Sequence, residues 1–518
     1  MNTHYRDRVY RHQTVEAAAK RSLGSDTLEA LEAVNVALPD DPARTANLEK
    51  LTRRGAVAVV TGQQTGLFLG PLLTLYKALT AIRAAAQLEE ETGHPVVPIF
   101  WLQTEDHDFD EIRSTAIHDR EGRKVPLTLP PLSSSEAPSV QYLRLPEDLT
   151  TVITDLRETL GGFPAAASVL EKVTSTYRVG RSLPDAFTEL MAMLTQGSGL
   201  LFFNPRHPAA IRASAPVHAR AFAEFEAIGR LLSQRTEELE ANGQQTPVRI
   251  RADSPLSFLH IDSAGGSRTR LVREGSNWRG KGFGGDFTLS EETLNTLLAA
   301  SPDRFSSSAL LRPIVQDTLL PTALYVGGAA EQAYWQQITP LYRHFDVSQS
   351  LFLPRASFTL LEPSSSKWLN LLSLTAAELR LPIDKLERVI AERNASDDAT
   401  PSVLLKQSGD ALRRMFAALE GPFRAADPTL SGSLTKAESK MLHLLESTIE
   451  RYTKAVARND ELFQERLRKL RSLILPEDLP QERVYTPIDF LCRFGESMIG
   501  ALLAAIDPFN PSHKELAL

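Results

Sequence analysis

Short apolar runs that end in glycine-rich or charged turns dominate the chain up to Pro363. Residues 57–60 form one such run, which stops in VVTGQQTGLFLGP, residues 59–71, and helical apolar spacing follows Pro71. A second run begins at residue 95 and ends in the charged string TEDHDFDEI. Two buried strands joined by one long helix predict a βαβ unit with a right-handed crossover.

Three more runs extend this pattern into a Rossmann-like α/β core with a parallel sheet, expected over residues 1–365. The run at residues 199–204 predicts a strand, and the run up to Val326 is followed by Gly327-Gly328 and a helical pattern from Ala329. Residues 350–363 read as a last core strand interrupted by Pro354. A predicted hairpin and helices near residues 114–196, and alternating β segments near 245–300, form two inserted connecting elements.

After Pro363 the pattern becomes helical and predicts a separate α-helical coiled-coil domain over residues 366–480, with residues 481–518 returning to the core. Leu442, Ile449, Val456, Phe463 and Leu470 recur every seven residues, which is the spacing of a coiled-coil seam. A reversal near residues 421–432 predicts an antiparallel hairpin. A helix over residues 434–473 would be about 60 Å long. Part of its seam is therefore expected to face a second copy in a homodimer, the alternative being a bundle packed on its own core.

Composition narrows the choice of partners and compartment. The 518 residues carry a formal net charge of −7 with scattered basic residues, so no nucleic-acid partner is expected. No apolar run approaches the roughly 20 residues that span a bilayer, and the chain begins without an apolar signal core, so we expect a cytoplasmic protein with no membrane contact. The single cysteine, Cys492, lies among apolar residues and reads as a buried, inert thiol.

The glycine-rich corner after the first strand is the first candidate binding site. Gly62, Gly66 and Gly70 allow close backbone approach, and the start of the following helix attracts anions or carboxylates. Neither the Walker pattern nor the dinucleotide glycine spacing is present. The alternative is a tight strand-to-helix turn whose glycines serve packing.

The second candidate is the acidic segment, residues 105–110, which holds Glu105, Asp106, His107, Asp108 and Asp110. A carboxylate beside a histidine can tune it as a general base, and such a group can also hold a divalent cation. The alternative is a solvated loop in which Asp106 or Asp108 caps a turn. The spacing of His and carboxylate residues along the chain identifies no further ligands for such a cation. The sequence therefore assigns no metal ligand and does not show whether a metal is required.

A third group of candidates follows the later apolar runs and suits a carboxylate-bearing or phosphorylated ligand. Its members combine a guanidinium, an amide, acids and glycines, and they are Arg312, Gln316, Asp317, Gly327, Gly328, Glu331 and Tyr334. Arg355 and Ser357 lie at another strand end that could reach the same cleft. The alternatives are a structural ion pair between Arg312 and Asp317, and an ordinary strand edge for the latter two residues.

Several unusual strings occur together in one order along nearly the whole chain. They are TGQQTGLFLGP, FWLQTEDHDFDEI, RPIVQDTLLPTALYVGGAAEQAYW, LPRASFT and, after the helical stretch, LPQERVYTPIDFLCRFG. In this combination the chain resembles the cysteine ligase family of bacillithiol biosynthesis, the BshC family. The resemblance implies a Rossmann-type core with two inserted elements, a coiled-coil dimerisation domain and a ligase that forms a carbon–nitrogen bond between cysteine and glucosaminyl-malate.

The resemblance also implies roles for residues of this chain. Gly62, Gln63, Gln64 and Gly66 become candidates for a ligand loop, the acidic segment an acid/base cluster, and Arg312, Gln316, Asp317, Glu331 and Arg355 contacts to substrate or nucleotide. Amide formation in water needs an activated carboxyl group, so ATP or another nucleotide is the expected co-substrate. His107 or Asp108 would then deprotonate the attacking amine.

The sequence is also compatible with two other functions. One is a nucleotide-dependent group transferase on the same core. The other is a non-catalytic coiled-coil scaffold that gathers the enzymes of a thiol-biosynthesis pathway.

Overall fold

The computed structural model describes residues 4–132, 138–261, 266–281, 287–458 and 461–518. The chain forms two compact units. The first comprises Met1–Arg120, Lys124–Phe358 and Glu482–Lys514, and the second comprises Glu121–Arg123, Thr359–Gln481 and Glu515–Leu518. Among the described residues, no helix is long and apolar enough to cross a membrane.

The strands within the described ranges are β1 Val57–Gln63, β2 Val96–Leu102, β3 Ser114–His118, β4 Lys124–Thr128, β5 Leu201–Phe203, β6 Ser257–His260, β7 Arg268–Glu274, β8 Asn277–Lys281, β9 Phe287–Ser290, β10 Phe305–Ser307, β11 Thr322–Gly327, β12 Leu351–Pro354, β13 Ser357–Leu361 and β14 His513–Ala517.

The α-helices of the first unit are α1 Arg8–Ala19, α2 Ser25–Val36, α3 Pro42–Leu51, α4 Leu73–Thr92, α5 Phe109–Ile112, α6 Leu149–Leu160, α7 Ala166–Thr176, α8 Leu183–Leu194, α9 Pro208–Ala223, α10 Phe225–Ala241, α11 Glu291–Ala300, α12 Arg312–Leu319, α13 Ala329–Gln337 and α14 Thr339–His344. The helices that follow along the chain are α15 Pro363–Leu371, α16 Ile383–Asn394, α17 Pro401–Ala426, α18 Leu430–Arg458, α19 Glu461–Ile474, α20 Pro487–Phe494 and α21 Ser497–Ala505.

The first unit is built on a five-stranded parallel sheet in the order β12-β11-β1-β2-β5. Both faces are covered, since Ala58 and Val60 of β1 join one apolar cluster while Val57 and Val59 join another. Burial on both faces explains why the core strands read as continuous apolar runs. The predicted Rossmann-like parallel core is confirmed, and the carboxyl ends of its strands lie at one edge.

Two inserted elements follow the predicted pattern. β3 and β4 pair as an antiparallel hairpin, and β10-β6-β7-β8-β9 form an antiparallel sheet with its own apolar core. One local expectation was wrong, because the apolar stretch before Val326 is not strand throughout. Arg312–Leu319 form helix α12, and the strand β11 begins only at Thr322.

The second unit is helical. Residues 427–429 join α17 to α18, and these two long helices pack along each other as an antiparallel hairpin. The predicted coiled-coil hairpin is thereby confirmed, although α17 continues through Gly421 and Pro422 to Ala426, so the reversal is shorter than expected. The long helix expected over residues 434–473 is covered by α18 and α19, and Asn459 and Asp460 between them lie outside the described residues.

Candidate functional site

The glycine-rich corner after β1 is held in an unusual backbone conformation. Phe68 and Leu69 are fully buried and have φ angles of 48° and 71°, which side chains other than glycine rarely adopt. The Tyr177 hydroxyl donates to the Gly66 carbonyl at 3.1 Å and accepts from the Leu69 amide at 3.2 Å. The Thr486 hydroxyl donates to the Phe68 carbonyl at 2.6 Å. Tyr177 and Thr486, which are distant in sequence, therefore hold the corner in a strained conformation.

Two backbone amides at this corner have acceptors within the protein. The Gly66 amide donates to the Gln64 carbonyl at 3.0 Å, and the Leu72 amide at the start of α4 donates to the Tyr485 carbonyl at 2.7 Å. These two amides are therefore not free to bind an anion.

A cleft of about 560 Å³ opens at the carboxyl ends of the parallel strands. This volume is within the range of small-molecule sites. Of the predicted site residues, it brings together Gly62, Gln63, Gln64, Gly66, Asp106, Arg312, Gly328, Glu331, Tyr334 and Arg355. The predicted residues that do not line the cleft are Glu105, His107, Asp108, Asp110, Gln316, Asp317, Gly327 and Ser357. Lining residues that the sequence did not single out include Lys77, Glu111, Tyr325 and Arg483.

Lys77 of α4 lines the cleft. Its ammonium group is 2.5 Å from Glu331 Oε2 and donates to the Gly62 carbonyl at 3.0 Å and to Gln63 Oε1 at 2.9 Å. The side chain is only 4% exposed, and burial lowers the pKa of Lys77 while the Glu331 carboxylate opposes that change. Lys77 thus connects the glycine-rich corner after β1 to Gly328, just after β11, through Glu331.

Glu331 lies in the first turn of α13 and accepts bonds from three directions. Besides Lys77, its carboxylate accepts from the Gly328 amide at 2.8 Å and from the Tyr325 hydroxyl at 2.6 Å. Burial pushes the pKa of Glu331 up, but Lys77 and these hydrogen bonds hold it below its ordinary value. Glu331 is therefore an ionised, fixed anchor.

Arg312 of α12 completes this wall. Its guanidinium donates to the Tyr325 and Tyr334 hydroxyls, both at 3.2 Å, and to Gln316 Oε1 at 2.9 Å. Asp317 lies away from the cleft, where its carboxylate accepts from the Gln316 amide and from the side chains of Tyr342 and Ser350 at 2.8, 3.0 and 2.7 Å. Gln316 thus links Arg312 to a buried network.

The acidic segment divides between two environments. Asp106 faces the cleft and accepts from Gln64 Nε2 at 2.8 Å. Asp108 caps the short helix α5 by accepting from the Glu111 amide at 3.2 Å, and the exposed Asp110 pairs with Arg113 at 2.6 Å. The turn-capping alternative therefore describes Asp108, whereas Asp106 is placed to meet a ligand.

Glu105 and His107 face the inserted antiparallel sheet instead of the cleft. Arg268 of β7 donates to His107 Nδ1 at 3.3 Å, to Asp106 Oδ1 at 3.4 Å and to the Ser307 carbonyl. Glu105 accepts from the Ser307 amide at 3.3 Å, and burial raises the pKa of this carboxyl while Arg206 and Arg268 lower it. Arg268 therefore ties the inserted sheet to the acidic segment.

Two further histidines lie behind this contact. His218 bonds to the Ser257 hydroxyl at 2.7 Å, and His260 bonds to the Ser306 hydroxyl at 3.0 Å. Burial, and then Arg206 and Arg268, lower the pKa of each imidazole to about 3. Both histidines are therefore neutral at physiological pH and act as packing groups.

Arg355 and Arg483 form the basic side of the cleft. Glu482 holds Arg355 through an ion pair of 2.6 Å, and the Ser357 hydroxyl donates to the same carboxylate at 3.0 Å. Ser357 therefore supports Arg355 from outside the cleft. Arg483 is exposed, so its guanidinium is accessible to a ligand.

A second cavity of about 950 Å³ lies on the other side of α13. Glutamines, Arg235 and edge-strand residues line it, and none of the predicted site residues does. The smaller cleft is the better site because the charged groups converge there. No group of three His, Cys, Asp or Glu side chains suited to a metal ion occurs in the part of the chain that is described. Cys492 is buried, and burial raises the pKa of its thiol to about 12.

The fold is that of a Rossmann-like α/β protein with a charged cleft at the strand ends and a C-terminal coiled-coil domain. Residues 2–356 match the family described as "Bacillithiol biosynthesis BshC, N-terminal Rossmann-like domain", and residues 358–518 match "Bacillithiol biosynthesis BshC, C-terminal coiled-coil domain". The chain therefore belongs to the BshC family, which confirms the resemblance seen in its motifs.

Curated relatives match this chain over most of their length. A protein of Salinibacter ruber is 30% identical over 98% of this chain and 92% of its own length. Proteins of Koribacter versatilis and Symbiobacterium thermophilum are 31% and 32% identical, each over 92% of this chain and 86% of its own. All three are described as "Putative cysteine ligase BshC".

Proposed function

We propose that this protein joins cysteine to glucosaminyl-malate through an amide bond, the last step of bacillithiol biosynthesis. The observation that carries the proposal is the cleft at the strand ends, in a chain that matches the BshC family from end to end. The cysteine ligase description of its relatives supplies the reaction class.

The charge pattern of the cleft suits these two substrates. Cysteine and glucosaminyl-malate each carry at least one carboxylate and an amine. Arg355 and Arg483 lie on one side of the cleft and are fork-shaped donors that match carboxylates. Asp106 and Glu111 lie on another side and match an ammonium group. Such a site holds an anionic group and a cationic group at the same time.

We further propose that a nucleoside triphosphate, ATP in the simplest case, activates the cysteine carboxyl group. A carboxylate does not form an amide in water without such activation. The donor set of the cleft fits a phosphate-bearing ligand, since Arg355 and Arg483 can contact phosphate oxygens while Lys77 and Arg312 keep the wall positive. In this proposal Glu331 balances Lys77 and fixes its ammonium group near Gly62.

Deletion of the gene tests the proposed step in the cell. We expect loss of bacillithiol and accumulation of glucosaminyl-malate, both measured by profiling low-molecular-weight thiols and their precursors. Restoration by the wild-type gene is the control. Unchanged bacillithiol in the deletion strain would overturn the proposal.

We also propose that two copies pair through the coiled-coil domain. Large apolar side chains remain exposed on α17 and α18, among them Met415 at 46%, Met441 at 44% and Leu444 at 66%. A hairpin that packed only on itself would turn such side chains inward. Their exposure supports a homodimer.

A further inference from the structure

Two carboxyl groups that line the cleft, those of Asp106 and Glu111, lie near the side chain of Gln64. Asp106 Oδ2 accepts from Gln64 Nε2 at 2.8 Å, and the same Gln64 side chain interacts with the carboxylate of Glu111. Both acids line the cleft, and Glu111 is exposed to it. Glu111 lies one residue beyond the acidic segment, on α5.

The surroundings of the two carboxyl groups differ. Burial pushes the pKa of Asp106 up, but His107, Arg268 and Gln64 together hold it well below its ordinary value. The pKa of Glu111 is raised, first by partial burial of this surface side chain against the cleft wall and then by Asp108 and Asp106, while Gln64 and Lys77 oppose the change. Paired acids whose pKa values are pushed apart are typical of sites that divide acid and base roles.

The two groups that the sequence offered as the base are engaged elsewhere. The Arg268 guanidinium and the Asp106 carboxylate lie 3.3 and 3.4 Å from His107 Nδ1, so this nitrogen is engaged by protein groups. Asp108 caps α5 through the Glu111 amide. Neither residue lines the cleft, whereas Glu111 does.

We propose that Glu111 is the general base of the amide-forming step, with Gln64 and Asp106 as the groups that position it. The inference rests on the proposed function. An oxygen of the Glu111 carboxylate takes a proton from the ammonium nitrogen of the amino sugar, and the freed electron pair forms the carbon–nitrogen bond to the carbonyl carbon of cysteine.

The acyl donor is cysteine activated as a mixed anhydride with phosphate. As the carbon–nitrogen bond forms, the bond from the carbonyl carbon to the bridging oxygen breaks, and the phosphate group leaves with that electron pair. The nitrogen loses its second proton to the departing phosphate. Asp106 stays ionised and stabilises the ammonium group before the transfer.

The test compares Glu111→Gln with wild type in an assay of amide formation from cysteine, glucosaminyl-malate and ATP, as a function of pH. We expect kcat to fall by about 10²- to 10⁴-fold near neutral pH with little change in KM, because a general base contributes in this range. The rate of the variant should recover toward alkaline pH, where the amine is already deprotonated. Glu111→Asp keeps the carboxylate and should retain more activity.

Glu90→Gln is the matched control, since it makes the same change at an exposed position of α4 and should leave kcat unchanged. Thermal melting checks that each variant is folded, and Glu111→Asp supplies the answer if Glu111→Gln is not. Wild-type kcat and an unchanged pH profile in Glu111→Gln would overturn the inference, as would a rise in KM with kcat preserved. If wild type itself forms no amide, the proposed function fails instead, so the two failures are distinguishable.

Discussion

The ammonium group of Lys77 lies 2.5 Å from the carboxylate of Glu331, and this ion pair connects helix α4 to helix α13. The ion pair holds neighbouring groups of the cleft wall in place. Lys77 also holds Gly62 and Gln63 at the end of β1, while Glu331 holds Tyr325 and the amide of Gly328.

Removing Lys77 should therefore damage both stability and activity. We expect Lys77→Met to lower the free energy of unfolding by about 3–5 kcal/mol, because Glu331 would remain as a buried charge without its partner. The matched control is Lys50→Met, which breaks the more exposed 2.8 Å pair with Glu89 and should cost less than about 1 kcal/mol. Urea titration measures both values.

A double variant separates the pair from general damage. Lys77→Met combined with Glu331→Gln should recover part of the lost stability, because no unpaired charge is left. Equal losses in Lys77→Met and Lys50→Met would contradict the structural role assigned to this pair.

Gly62 should tolerate no side chain. A Cβ atom there would lie 2.9 Å from the Trp101 carbonyl oxygen of the neighbouring strand, and Gly62→Ala is expected to cost about 1–3 kcal/mol and to reduce ligation. Gly421→Ala is the control, since a Cβ in that part of α17 meets nothing within 4 Å and removes a flexible residue from a helix. Thermal melting of both variants tests this contrast. A melting temperature of Gly62→Ala equal to that of Gly421→Ala would refute it.

The buried histidines predict a loss of stability in acid. In the unfolded chain His218 takes up a proton near its ordinary pKa of 6.5, whereas the folded protein does so only near pH 3. The unfolded state therefore binds more protons between these values, so the stability present above pH 6.5 is lost as the pH falls toward 3. His260 contributes in the same direction.

His218→Gln tests this dependence. The variant should show a smaller loss of urea stability than wild type as the pH falls below 6.5. His443→Gln, at a histidine whose side chain is 86% exposed, should follow wild type. If all three proteins lose stability in parallel, His218 is not a source of the acid sensitivity.

The exposed apolar side chains of the coiled-coil domain predict a change of oligomeric state. Leu444→Glu should shift the protein from dimer toward monomer in sedimentation velocity, because a charge would enter the apolar contact. Ser439→Glu introduces the same charge on the opposite side of α18 and should leave the dimer intact. A monomeric wild type would contradict the proposed pairing.

Much of the core could be predicted because its strands are buried on both faces. Residues 57–60 and 95–102 read as apolar runs for that reason, and the glycine breaks mark where they end. The strand order β12-β11-β1-β2-β5 could not be predicted, since it depends on contacts between distant parts of the chain. Helix α12 was missed because its apolar residues continue into those of β11 without a glycine between them.

The site was predictable only where polar residues follow a strand directly. Asp106 and Gln64 belong to this class, and the structure brings them together. Lys77 was missed because a single lysine in an otherwise apolar helix usually points to solvent, and only the fold places Glu331 beside it. Asp317 shows the opposite error. The sequence made it a candidate contact to a ligand, but its carboxylate accepts hydrogen bonds from Tyr342 and Ser350 in a buried network.

Reconstitution of the reaction tests the central claim most directly. Purified protein is incubated with cysteine, glucosaminyl-malate and ATP, and bacillithiol is measured by mass spectrometry. We expect bacillithiol in step with nucleotide consumption, and no product from Lys77→Met. No product from wild type, either with ATP or with a pre-activated cysteine donor, would contradict it.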